Sequence, residues 1–114
     1  MNLAEFQHAQ QELSAVVRDA LTYGPDPALN ERFRQRRALV QSNYADMRHS
    51  FDRLWTTSAD PRRFPGQHTD PIESLLASPT LDGLLKRDAR HIERDLQDIE
   101  TAFELCGEPE VVLI

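Results

Sequence analysis

Apolar residues recur at three- and four-residue steps along most of the chain, which is the spacing of amphipathic helices. The first run predicts a helix over about residues 2–22, with the stripe Leu3, Phe6, Ala9, Leu13, Val16, Val17, Ala20 and Leu21. The second run predicts a helix over about residues 27–56, with the stripe Leu29, Phe33, Val40, Tyr44, Met47, Phe51 and Leu54, and with Leu39 and Trp55 beside it. Gly24 and Pro25 should separate the two helices, because glycine accepts the left-handed conformation after a helix and proline cannot continue the hydrogen-bond ladder.

A short polar residue followed by proline stands before three of the predicted helices, at Asp26-Pro27, Asp70-Pro71 and Ser78-Pro79. The polar side chain can accept hydrogen bonds from a first turn, and proline suits the first helical position because it has no N–H there to satisfy. The second pair predicts a short helix over about residues 71–77. The third predicts a last long helix over about residues 79–106, with Leu81, Leu85, Ala89, Ile92, Leu96, Ile99, Phe103 and Cys106 in line.

Helix length and connection length predict the architecture. At 1.5 Å per residue, the second and last helices would each reach about 40 Å and the first about 30 Å. The connection at residues 23–26 is so short that the first two helices must be antiparallel neighbours. We therefore expect one all-α domain over residues 1–114. It should be an antiparallel three-helix bundle with coiled-coil-like packing, one extra short helix in the long loop, and an apolar C-terminal tail over residues 107–114.

Arginines interrupt the apolar stripe of the second helix. After Phe33 the next inward positions fall on Arg36 and Arg37. If the last helix lies antiparallel to the second, Arg37 comes close to Asp95 and Asp98. We interpret this as a salt bridge beside the core, with the arginine stems covering apolar surface. The alternative is that the helices open here to receive a partner protein, with arginine as the anchor.

Three histidines each follow an acidic residue by three positions, on three different predicted helices. The pairs are Glu5 with His8, Asp46 with His49, and Asp88 with His91. Glu-x-x-His pairs with this spacing hold two metal ions inside some four-helix bundles. Here each histidine lies about 100–200° around its helix from the apolar stripe, so it would point away from the core. We therefore interpret them as surface pairs and expect no metal; a metal- or ligand-binding bundle is the alternative.

Composition and charge narrow the class of protein. Of the 114 residues, 39% are hydrophobic and 28% are charged, which is typical of a globular domain. The net charge of −6 argues against nucleic acid as a partner, since phosphate binding needs a basic surface. A transcriptional regulator using the arginines of residues 32–37 is a further alternative. One cysteine, no run of ~20 apolar residues and no signal-peptide pattern predict a cytoplasmic protein that does not enter the membrane.

Two segments outside the predicted helices carry apolar groups suited to contacts. Phe64 lies between arginines and a proline in the long loop, and the tail ends in Val111, Val112, Leu113 and Ile114. No nucleophile lies on a glycine-framed turn and the sequence has no glycine-rich phosphate motif, so we expect neither an enzyme nor a cofactor. The sequence predicts a small non-enzymatic helical protein that binds another protein, or a second copy of itself. Adaptors, chaperones, inhibitors, immunity-type proteins and subunits of assemblies share this form.

Overall fold

The computed structural model describes the backbone of residues 2–58 and 70–107 and the side chains of residues 2–48 and 70–104. Within these ranges the chain forms five helices and no strand, which confirms the predicted all-α class. The helices are α1 (Leu3–Tyr23), α2 (Pro27–Ser58), α3 (Pro71–Leu76), α4 (Leu81–Leu85) and α5 (Ala89–Gly107). Over the described ranges, none of the helices combines the length and the apolar character needed to cross a membrane.

Local capping chemistry sets the bounds of α1 and the start of α2. Asn2 and Glu5 form a capping box, in which Asn2 Oδ1 accepts from the Glu5 N–H at 2.8 Å. Gly24 ends α1 with a positive φ of 85° and donates its N–H to the carbonyl of Ala20 at 2.9 Å. Asp26 Oδ1 then accepts from the Leu29 N–H at 2.8 Å. The predicted stop and start are both confirmed, and the helices they join form an antiparallel hairpin.

The core lies where the apolar stripes of the long helices meet. Its centre is Phe6, whose ring stacks on Tyr44 at 6.1 Å between centroids and tilts against Phe103 at 6.2 Å. Burying such a ring stabilises the fold by about 1.5–3 kcal/mol. The other buried apolar residues are Ala9, Leu13, Val16, Val17, Ala20, Leu29, Phe33, Val40, Met47, Ile72, Leu75, Leu76, Leu81, Leu84, Ile92, Leu96, Ile99 and Ala102. Leu39 is exposed. The side chains of Phe51, Leu54, Trp55 and Cys106 lie outside the described residues.

The last predicted helix, 79–106, is wrong as one continuous element, because it is divided into α4 and α5. Thr80, not Ser78, starts α4: its hydroxyl accepts from the Gly83 N–H at 3.0 Å. Asp88 starts α5 by accepting from the Arg90 N–H at 2.9 Å. Short polar side chains that satisfy first-turn N–H groups let a helix restart within a few residues. The restart shifts the apolar phase, so that Leu84 is buried.

The direction of α5 also differs from the prediction, which placed the last helix antiparallel to the second. Glu93, near the start of α5, lies beside Leu21 near the end of α1, whereas Phe103 reaches Phe6 at the other end. Thus α5 runs antiparallel to α1 and in the same direction as α2. The short helices α3 and α4 make this possible, because they carry the chain back along α2. Arg48 of α2 pairs with Glu73 of α3 at 2.5 Å along that return path.

Candidate functional site

Arg36 and Arg37 both bond groups of other elements in the same chain. Arg36 Nε lies 2.9 Å from a carboxylate oxygen of Glu12, which joins α2 to α1. Arg37 donates to the carbonyls of Leu76 at 2.5 Å and Ser78 at 3.0 Å, both at the carboxyl end of α3. It also donates to the side chain of Gln41 at 2.9 Å. The predicted pairing of Arg37 with Asp95 or Asp98 is therefore wrong, because Arg37 bonds the carboxyl end of α3 and Asp95 is held by Arg87 and Ser74.

Asp95 and Asp98 both lie on α5 but have different neighbours. Asp95 accepts from Arg87 at 2.7 Å and from the Ser74 hydroxyl at 3.1 Å, which ties α5 to α3. Burial raises the pKa of Asp98; Arg94 lowers it to a smaller extent and the neighbouring Asp95 raises it further. Neither acid pairs with an arginine of α2. The part of these two acids and of the two α2 arginines in partner binding stays a prediction.

Glu5, His8 and Asp88 each bond a residue other than their predicted partner. Glu5 belongs to the capping box of α1, while His8 is 76% exposed and lies 3.3 Å from Glu12. Asp88 starts α5, where hydrogen bonds from Arg90 lower its pKa, and His91 is exposed. Asp46 is exposed on α2; the side chain of His49 lies outside the described residues. Across the described part of the chain, no three histidine, cysteine or acidic side chains come together as a metal-binding group.

Two of the predicted contact segments cannot be placed. Phe64 and the tail residues Val111, Val112, Leu113 and Ile114 all lie outside the described residues. Their proposed part in partner binding stays a prediction. Among the described residues, a groove lies between α1 and α5.

An open groove of about 510 Å³ runs between α1 and α5. Its α1 wall carries four uncharged polar side chains at i, i+3, i+4 and i+7 spacing: Gln7, Gln10, Gln11 and Ser14. Residues at this spacing share one face of a helix and are the positions that contact a neighbouring helix. On the other wall Ile99 and Phe103 provide apolar surface from α5. The groove is thus mainly polar along α1, whereas along α5 the buried Ile99 and Phe103 alternate with the acids Glu100 and Glu104.

Gln10 is the unusual residue of this groove. It is only 1% exposed, and Ser14, four residues later, is 5% exposed. The Gln10 amide donates to the Ser14 hydroxyl at 3.2 Å, but its carbonyl oxygen Oε1 is buried and receives no hydrogen bond. Leaving a buried acceptor without a donor costs about 1–3 kcal/mol. Sequence reasoning missed Gln10, although the spacing from Gln7 to Ser14 was a signal that could have revealed the polar face.

Four charged side chains line the groove, one basic and three acidic: Arg18, Asp19, Glu100 and Glu104. Arg18 forms an ion pair with Glu100 across the end where α5 begins. Glu104 lies at the other end, one residue beyond Phe103. Asp19 also lines the groove and has Arg32 of α2 at 4.0 Å. The basic side chain of the lining is therefore already paired with an acid of the same chain.

The volume of the groove is within the range of ligand-binding clefts. No family model, no curated protein and no solved structure matches this chain. The chemistry of the groove is therefore the basis for assigning a function. The buried, unpaired hydrogen-bond acceptor of the groove is Gln10 Oε1.

Proposed function

We propose that this chain is a small non-enzymatic helical protein whose role is to bind another protein chain, and that the partner docks in the groove between α1 and α5. One observation carries the proposal: Gln10 is buried at the floor of an open groove with its carbonyl oxygen unpaired. A bound chain that brings a donor relieves this cost, and removal of water from the groove strengthens the new hydrogen bond.

The shape of the site favours a helix as the docking element. Gln7 and Ser14 are seven residues apart, which is about 10.5 Å along α1 and two helical turns. A side-by-side helix makes contacts over that length, with its axis about 8–10 Å from its neighbours. Apolar side chains of such a helix would cover Ile99 and Phe103, while a polar one would reach Gln10. Adaptor, chaperone, inhibitor or immunity-type roles, or a subunit role in an assembly, are all served by such a site.

We also propose that the protein is cytoplasmic. Disulfides are rare in reducing compartments, and with one cysteine this chain can form none within itself. The net charge of −6 supports a protein rather than a nucleic acid as partner.

Site-specific photo-crosslinking in the native cells tests the proposal. A photoreactive amino acid replaces Ala15, an exposed residue that lines the groove, and in a matched control it replaces Ala38, an exposed alanine of α2. We expect a discrete protein adduct from position 15 and none from position 38. The Gln10→Leu substitution should weaken the adduct, because the hydrogen-bond acceptor is lost. No adduct at position 15, or the same adduct at both positions, would contradict the proposal.

A further inference from the structure

We infer that the segment that binds along the groove is a basic amphipathic helix of another protein, whose Lys or Arg side chains face the acids of α5. The inference rests on the proposed function, since it states the chemistry of the partner of the same groove. Three observations support it: the charge of the lining, the extent of the acidic surface along the helix pair, and the spacing of the acids on α5.

The charged lining of the groove is acidic once its internal ion pair is taken into account. Arg18 is paired with Glu100, so its charge is already balanced within the chain. Asp19 has a guanidinium group of Arg32 only at 4.0 Å. Glu104 is exposed, and no cation among the described residues forms a salt bridge with it. A basic segment is therefore attracted to this lining, whereas an acidic segment is repelled.

A second cavity, of about 300 Å³, extends the acidic surface toward the start of α5. Both helices contribute to its lining, which shares one residue with the groove: Arg18, Leu21, Thr22, Glu93 and Gln97. Glu93 is exposed, and within the described part of the chain it forms no salt bridge. Together the two linings follow α1 over positions 7–22, which is about 22 Å of helix. A partner helix of about 15 residues would cover this length.

The acids of the two linings on α5 form a straight row. Glu93, Glu100 and Glu104 are separated by seven and four residues, so they lie within about 40° of one another around the helix axis. Residues 95–107 contain no Lys, Arg or His that could neutralise the row. Basic side chains spaced by one or two turns on a helix alongside α5 would each face one of these carboxylates. The apolar strip of that helix would then lie over Ala15, which is exposed on the α1 wall.

Fluorescence anisotropy with a designed peptide tests the inference on the full-length chain. The probe is a labelled helical peptide of about 18 residues, with Leu at three- and four-residue steps and Lys beside them. One control peptide has Glu in place of Lys, and a second has the composition of the probe in scrambled order. We expect the Glu peptide not to bind and the scrambled peptide to bind about 10-fold more weakly than the probe. Binding of the probe should also weaken about 10-fold between about 0.05 M and about 0.5 M NaCl, because salt screens exposed charges.

Charge variants with unchanged circular dichroism show whether the probe lies in the groove. Glu104→Gln should weaken binding about 3- to 5-fold, which is the effect of losing one exposed ion pair. Its control, Asp46→Asn, removes the same charge from an exposed position of α2 and should change the Kd by less than about 2-fold. Arg18→Gln should strengthen binding about 3-fold, because it leaves the Glu100 carboxylate free for the partner. Arg36→Gln is the control for this gain, since Arg36 is 40% exposed against 45% for Arg18 and also pairs with an acid of another helix.

Three results would overturn the inference: a probe that does not bind, Lys and Glu peptides that bind equally, or equal effects of Glu104→Gln and Asp46→Asn. The last of these would mean that the probe responds to net charge alone. The photo-crosslink from position 15 separates the two proposals, because mass spectrometry of the adduct identifies the cross-linked segment. A segment with more acidic than basic residues removes this inference and leaves the proposed function standing, whereas the absence of any adduct removes both.

Discussion

At the scale of single residues, Asp70 combines a helix cap with a buried charge. Its Oδ1 accepts from the Ile72 N–H at 2.9 Å and from the Glu73 N–H at 3.4 Å, while Oδ2 is buried without a donor. Burial raises the pKa of this carboxyl above its ordinary value of 3.8; the two backbone hydrogen bonds lower it to a smaller extent, and the Glu73 carboxylate raises it further. The folded state therefore holds this proton more tightly than the unfolded chain. The stability that Asp70 contributes is lost as the pH rises through the raised folded pKa.

The Asp70→Asn substitution should show this pH dependence. Asparagine keeps the capping oxygen but carries no charge. We expect the variant to match the wild type at pH values below 3.8 and to become the more stable of the two toward neutral pH. Urea unfolding at both ends of that range measures the difference. Asp70→Ala is the control, and should lose about 1 kcal/mol because the cap is gone. An asparagine variant whose stability relative to the wild type does not change with pH would contradict this account.

Gln10 is a residue at which the stability of the fold and the binding of a partner are expected to oppose each other. Gln10→Leu replaces a buried amide that has an unpaired oxygen with an apolar side chain of similar size. We expect the free energy of unfolding of the chain without a partner to rise by about 1–3 kcal/mol, measured by urea unfolding. Gln11→Leu, at an exposed position one residue away, should change it by less than about 0.5 kcal/mol. A loss of stability on Gln10→Leu would show that the amide is satisfied in solution.

At the scale of elements, α3 is held against α2 by two arginines. Arg37 donates to carbonyls at its carboxyl end, and Arg48 pairs with Glu73 near its start. A cation at this end of a helix also meets the partial negative charge of the free carbonyl groups. Arg37 is the half-buried one of the two, and its loss leaves those carbonyls without their charged donor.

Replacing Arg37 by alanine should therefore lower the stability of the fold more than replacing its neighbour Arg36. Arg37→Ala is expected to lower the free energy of unfolding by about 1.5–3 kcal/mol, the range for hydrogen bonds to a charged group. Arg36→Ala breaks only a partly exposed pair with Glu12 and should cost less than about 1 kcal/mol. Guanidinium unfolding measures the loss of stability in both variants. Equal losses would contradict the role of Arg37 in fixing α3 against α2.

The elements could be predicted from sequence where a residue type is strongly preferred at the start or the end of a helix. Gly24 and the Asp26 and Asp70 caps belong to this class. The break between α4 and α5 does not, because Leu81, Leu85, Ala89 and Ile92 keep helical spacing through it and no glycine or proline marks it. Asp88 is equally compatible with a helix surface and with a helix start. Its role is decided by tertiary contacts, such as the tie from Arg87 to Ser74 and Asp95.

At the scale of the whole molecule, the path of the chain determines which surfaces exist. The three-residue link between α1 and α2 made their antiparallel packing predictable from sequence. The direction of α5 was not predictable, because it depends on how far α3 and α4 carry the chain back along α2. That direction places the second half of α5 beside the first half of α1, where the two helices form the groove lined by Gln10. The candidate site thus arises from a long-range arrangement that no local spacing encodes.

The shared direction of α2 and α5 has a consequence for how the chain can be cut and rejoined. The first turns of α1 and the last turns of α5 meet at one end of the bundle, where Phe6 touches Phe103. Residues 108–114 and Met1 together supply eight residues, which can span about 26 Å. A circular permutant can therefore join Ile114 directly to Met1 and open between Gly24 and Pro25. This cut keeps the hydrogen bond of Gly24 to Ala20 and the Asp26 cap. We expect it to retain the helical circular dichroism of the parent and to leave the groove at the rejoined end intact.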